Sequence, residues 1–120
     1  MNYDLKGTNL PVTPELRSYV EKCLAHADKF LVGDPTAYAA IELQYSPLND
    51  NGKYRAECTV SAAGEMYRAE SWGSGMHEAI DLATGELIGE LSQRKKKRLA
   101  LLRRTAVKVK EYLRGWRRKV

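Results

Sequence analysis

The sequence predicts an α+β fold: a β-α-β-β-β-α two-layer sandwich with a C-terminal basic helical arm. Three observations carry this. The apolar pattern has helical period over residues 16–31, strand period over 38–72 and helical period again over 76–91. Turn-forming clusters separate these runs at 33–35, 47–52 and 63–65. The charge is split between the two parts of the chain. From Arg94 onward there are thirteen bases against one acid, Glu111, a net of +12, whereas residues 1–93 carry seven bases and fourteen acids, a net of −7.

Residues 2–6 read as a short strand with Tyr3 and Leu5 on one face. Thr13 is placed to cap a helix, Pro14 to occupy its first position, and Glu15 to meet the positive end of its dipole. Leu16, Tyr19, Val20, Cys23, Leu24, Ala27, Phe30 and Leu31 follow at helical spacing, and Gly33-Asp34-Pro35 ends the run. Ala39, Ile41, Leu43 and Tyr45 then alternate with polar neighbours, as do Tyr54, Ala56, Cys58, Val60 and Ala62. After a tight turn at Ala63-Gly64-Glu65, Tyr67, Ala69 and Ser71 make a third alternating run. Ser74 is placed to cap a second helix with Met76, Ala79, Ile80, Ala83, Leu87 and Leu91 on its buried stripe. Gly85 and Gly89 lie within it. They either bring the helix close to the sheet or weaken it by about 1 kcal/mol each relative to alanine. Two apolar helix stripes over one face of an antiparallel or mixed sheet complete the two layers.

The chain has 120 residues, 43% hydrophobic and 29% charged, which fits one globular domain with a real core. No apolar run is long enough to span a bilayer, and the N-terminal residues have no signal-peptide pattern. Cys23 and Cys58 are too few and too far apart for a disulfide framework, so a cytoplasmic location is expected. No phosphate loop, nucleophile elbow or metal-ligand spacing occurs, so neither catalysis nor a cofactor or metal is expected. His26 and His77 stand outside any motif, and Cys23 and Cys58 point toward the expected core. Glu57 and Glu70 are placed to meet on neighbouring strands, where outward acids are ordinarily solvated.

The basic arm is the informative segment. Leu99, Leu102, Ala106, Val109, Leu113 and Trp116 are spaced 3, 4, 3, 4, 3, a heptad-like seam on a helix expected over 94–120. Such a stripe docks on its own domain, on a protein partner or on a membrane. Arg94-Lys95-Lys96-Lys97-Arg98, with Arg103 and Arg104, reads as adhesion to phosphate rather than sequence readout. The expected division is 1–93 for the α+β domain and 94–120 for the arm.

The segment from Asn9 to Val20, containing Thr13-Pro14-Glu15-Leu16-Arg17, resembles the start of bacterial ribosome hibernation promoting factors, also called ribosome-associated translation inhibitors. Lys29-Phe30, Tyr67-Arg68-Ala69-Glu70 and Met76-His77-Glu78-Ala79-Ile80-Asp81-Leu82 extend the resemblance over residues 1–97. It implies a domain similar in shape to double-stranded-RNA-binding domains. It also implies a non-enzymatic factor that occupies the messenger and transfer RNA channel of the small ribosomal subunit, with rRNA as partner, and silences or protects idle ribosomes. On matching stretches of the first helix, it implies RNA contacts at Arg17, Lys22 and Lys29. The second helix departs from the family pattern, with Glu86, Gly89, Glu90 and Gln93 where relatives tend to be basic. Basic character returns at Arg94, Lys95, Lys96, Lys97 and Arg98. The arm is not the dimerisation domain of long family members, so ribosome pairing through one is not expected, nor is a small-molecule substrate or a membrane partner. The alternative is a general RNA- or DNA-binding module acting through the arm.

Overall fold

The structure, a computed structural model, describes the backbone of residues 1–31, 34–50 and 52–118, and the side chains of those residues up to Ala106. Its elements are β1 (Asn2–Thr8), α1 (Pro14–Asp28), β2 (Tyr38–Tyr45), β3 (Tyr54–Ala62), β4 (Glu65–Gly73) and α2 (Met76–Arg118). The expected β-α-β-β-β-α order is therefore the observed one. The four strands form one mixed sheet in the order β1-β2-β3-β4, with β1 parallel to β2 and the other pairs antiparallel.

Local chemistry accounts for each boundary. The Thr13 side chain accepts a hydrogen bond from the Leu16 N–H at 3.2 Å, and Pro14 opens α1 where its missing N–H is harmless. The helix closes earlier than its apolar stripe suggests. It ends at Asp28, and the N–H groups of Phe30 and Leu31 bond to the carbonyls of Ala27 and Asp28, a tightened three-residue turn. That turn still carries Leu31 into the core, which is why the periodicity runs past the helix. The expected stop at Gly33 lies outside the described residues. The hairpin between β3 and β4 turns on Ala63 and Gly64, both with positive φ (52° and 78°), as a two-residue turn matching strand twist requires.

α1 and α2 pack on the sheet face that carries Ile41, Leu43, Ala56, Cys58 and Val60, and all six residues of the expected α2 stripe are buried there. Tyr19 of α1 meets the start of α2 edge-to-face at His77, with ring centroids 4.5 Å apart, and its hydroxyl donates to Asp81. That bond is the main reason the Tyr19 phenol is pushed up to about 12. At the other end of α1, Phe30 lies beside Lys95 of α2. The two helices thus run in the same direction.

Three details differ from expectation or decide between alternatives. Ser74 donates both its N–H and its hydroxyl to the Glu78 carboxylate, so it secures the start of α2 through that side chain. Gly85 and Gly89 are exposed, and an added Cβ at either meets nothing within 4 Å, so they do not bring the helix closer to the sheet. The α2 helix crosses Arg94 without a break and runs for 43 residues in all, so the arm continues α2 rather than forming a separate helix. Among the described residues no helix is long and apolar enough to cross a membrane.

Candidate nucleic-acid interface

The two layers use their bases differently. On the open face of the sheet, Glu42, Glu57 and Glu70 stand in one cross-strand row. Arg55 lies at its centre. Its Nη1 donates to Glu42 at 2.7 Å, its Nε is 3.1 Å from Glu70, and its Nη2 pairs with Glu57. Arg68 closes on Glu57 and Glu70, both at 3.2 Å, and Lys6 reaches Glu42 at 3.8 Å. These carboxylates, Glu70 foremost, hold the Arg55 guanidinium further above its ordinary value, and Arg55 in turn lowers Glu70. Three of the seven bases in residues 1–93 are thus neutralised on this face. The meeting of Glu57 and Glu70 is a structural ion-pair network.

The bases of α1 and its C-cap are not drawn into this network. Arg17, Lys22 and Lys29 are exposed on α1, and among the described residues none of them forms a salt bridge. Arg17 sits near the start of the helix, where its Nη1 donates to the Tyr3 hydroxyl at 3.4 Å. Lys29 caps the far end, about 18 Å away along the axis at about 1.5 Å per residue. There it meets the arm. Lys29, Arg94, Lys95 and Arg98 line one groove of about 270 Å³, with Phe30, Leu31, Leu91, Leu99 and Leu102 as its apolar wall.

Within that group the bases have separate duties. The Arg94 side chain is largely enclosed, with its guanidinium 5.3 Å from the Tyr67 ring centroid and its Nε 3.4 Å from Glu65. It fastens α2 to β4. Glu65 is correspondingly lowered, first by the Tyr67 hydroxyl and then by Arg94. Lys95 lies 5.9 Å over the Phe30 ring with its ammonium exposed. Lys96, Lys97, Arg98, Arg103 and Arg104 are exposed. The structure therefore brings Lys29 together with the arm bases but leaves Arg17 and Lys22 apart from them. Reading the sequence did not single out Tyr67 and Glu65 as the anchors of Arg94. The strand alternation at Tyr67 was visible, but only the hairpin register places it under the helix.

The family model described as Sigma 54 modulation protein / S30EA ribosomal protein matches residues 3–99. The chain belongs to this family. Within it, a ribosome hibernation promotion factor of Bacillus subtilis (strain 168) is 30% identical over 97 residues, covering 81% of this chain and 50% of that protein. A factor of the same name from Deinococcus radiodurans is 32% identical over 90 residues, 74% of this chain and 46% of the relative. The chain thus spans about half the length of the curated relatives it matches. The crystal structure of the Thermus thermophilus Protein Y N-terminal domain superposes with a TM-score of 0.67 at 33% identity, covering 78% of this chain and 98% of that domain. A ribosomal subunit interface protein from Coxiella burnetii, 21% identical with a TM-score of 0.65, shares the fold. The S30EA family match takes in α1, the sheet and α2 as far as Leu99, including Arg94 to Arg98, whereas Arg103 and Arg104 lie beyond it.

Proposed function

We propose that this chain is a cytoplasmic, non-enzymatic ribosome-binding factor of the hibernation type. It occupies the messenger and transfer RNA channel of the small subunit and keeps idle ribosomes silent or protected. The observation that carries this reading is the meeting of Lys29 with Lys95 and Arg98 on a fold shared with ribosome hibernation factors. Phosphate contacts need exposed bases, and the helix side supplies them while the sheet side neutralises its own. The domain of residues 1–93 supplies the shape that fits a ribosomal cleft. Arg17, Lys22 and Lys29 act from that shaped part, and Lys95 to Arg98 with Arg103 and Arg104 act from the rod. Function on this reading is occlusion, with no substrate turned over.

The test is sedimentation of the full chain with purified small subunits across a salt series, with and without excess bulk RNA. Log affinity falls with log salt by roughly 0.7–0.9 per phosphate contact. Replacing Lys95, Lys96, Lys97 and Arg98 by glutamine flattens that slope, with Arg94 kept because it holds the helix to β4. An unchanged slope removes the arm from the interface. Stripping of the wild-type chain by bulk RNA means that it is a general nucleic-acid binder and overturns ribosome specificity.

A further inference from the structure

β4 is the last strand of the sheet and pairs with β3 alone. It contains no proline, and its register with β3 runs unbroken from Tyr54 opposite Gly73 to Ala62 opposite Glu65, so no bulge turns the edge away. Ala63 and Gly64 make a two-residue turn, which closes on Ala62 and Glu65 as a pair exchanging both main-chain hydrogen bonds. Alternation along the strand then turns the N–H and C=O groups of Met66, Arg68, Glu70 and Trp72 away from β3. Among the described residues no hydrogen bond reaches these outward groups. Their side chains stand on the open face of the sheet, with Met66 72% exposed and the Arg68 side chain 61% exposed.

We propose that this edge pairs with the same edge of a second copy, antiparallel about Ala69, joining two four-stranded sheets into one. The segment from Met66 to Trp72 is complementary to its own reverse. With Ala69 opposite its counterpart, Arg68 faces Glu70 twice and Met66 faces Trp72 twice across a two-fold axis. The first are opposite charges and the second a thioether against an aromatic ring, both favourable cross-strand pairs. On the helix side Tyr67 meets the small Ser71. The outward main-chain groups fall on these same pairs, so the ladder closes as the side chains match. Charge also fixes the register. A shift of two residues one way opposes Arg68 to Arg68, the other way Glu70 to Glu70, and in-register parallel pairing opposes both. A shift of one residue sets open-face side chains against the helix layer. Charges that ordinarily deter edge pairing therefore admit one arrangement here. Arg68 already lies 3.2 Å from Glu57 and Glu70 of its own chain, so the contact extends the existing ion-pair row. None of the bases assigned to phosphate takes part.

The experiment is sedimentation velocity of the full chain over a concentration series, with amide hydrogen exchange measured by NMR at both ends of it. One strand edge is a small interface, so the monomer gives way to a dimer with Kd on the order of tens of micromolar. As dimer forms, the amides of Met66, Arg68, Glu70 and Trp72 slow by about tenfold or more, whereas those of Tyr67, Ala69 and Ser71, bonded to β3, are protected at every concentration. Met66→Asp, at an exposed position, and Arg68→Glu each weaken the dimer by about tenfold or more. An equimolar mixture of Arg68→Glu and Glu70→Arg chains pairs again, because each variant carries the charges that oppose the other's. The amide measurement needs no variant and decides the matter if Glu70→Arg, which loses its pair with Arg55, fails to fold. A chain that stays monomeric up to about ten times that Kd overturns the proposal. So does a dimer whose four outward amides exchange as fast as in the monomer, or one indifferent to Arg68→Glu. Small-subunit sedimentation of Met66→Asp reports separately on the ribosome reading.

Discussion

The guanidinium of Arg94 lies 5.3 Å from the centre of the Tyr67 ring, and its Nε is 3.4 Å from Glu65, which also accepts a hydrogen bond from the Tyr67 hydroxyl. The first base of the arm is thereby part of the folded domain. Arg94→Gln removes the cation–π contact and lowers stability by about 0.5–1 kcal/mol, measured by chemical denaturation. A fragment of residues 1–93 retains a cooperative thermal transition, because its core is complete at Leu91, but melts below the full chain. Loss of the transition on truncation would place the arm within the core.

Gly85 and Gly89 are helical, exposed and surrounded by open space. Alanine at either removes backbone freedom from the unfolded chain without meeting a neighbour. Each substitution stabilises by about 0.5–1 kcal/mol, seen as a rise of a few degrees in Tm. A fall in Tm at either site contradicts the open environment described for it.

Arg55→Met leaves Glu42, Glu57 and Glu70 in one row with Arg68 and Lys6 as remaining cations. The cost is about 1–3 kcal/mol at neutral pH, as for charged hydrogen bonds discounted for partial exposure. Glu70 is lowered by Arg55, so its contribution is present above the ordinary glutamate value of 4.5 and is lost as pH falls through its depressed folded value. The difference between wild type and variant therefore narrows below pH 4.5. Denaturation midpoints across an acid series check this, and a constant difference would remove the network from the account.

Cys58 lies inward on β3, and burial pushes its thiol up to about 12. Cys23, half-buried on α1, is raised in the same direction, first by desolvation. At mildly alkaline pH a thiol reagent labels Cys23 first and reaches Cys58 only as fast as the protein unfolds. Mass spectrometry of the labelled native protein distinguishes the two, and rapid labelling of Cys58 would refute its strand register.

The elements between residues 2 and 91, their order and their inward faces are legible in the amino-acid pattern alone, whereas the joining of the arm to α2 as one helix is not. Periods of 3.6 and 2 are local properties of a chain with one buried side, so Met76 to Leu91 and the alternation of β2 and β3 could be read without a partner in view. The charge division at Arg94 was equally plain. What the tertiary structure decided is which of these meet. Parallel packing of α1 and α2 sets Lys29 beside Arg98 and leaves Arg17 at the far end. The β3–β4 register brings Glu57 opposite Glu70 under Arg55, converting outward acids into a neutralised face. The same hairpin carries Tyr67 under Arg94, so a base that reads in sequence as the start of a free arm is a fastening point. Pairings between residues tens of positions apart depend on strand register and helix direction, which the local pattern of apolar and charged residues does not encode.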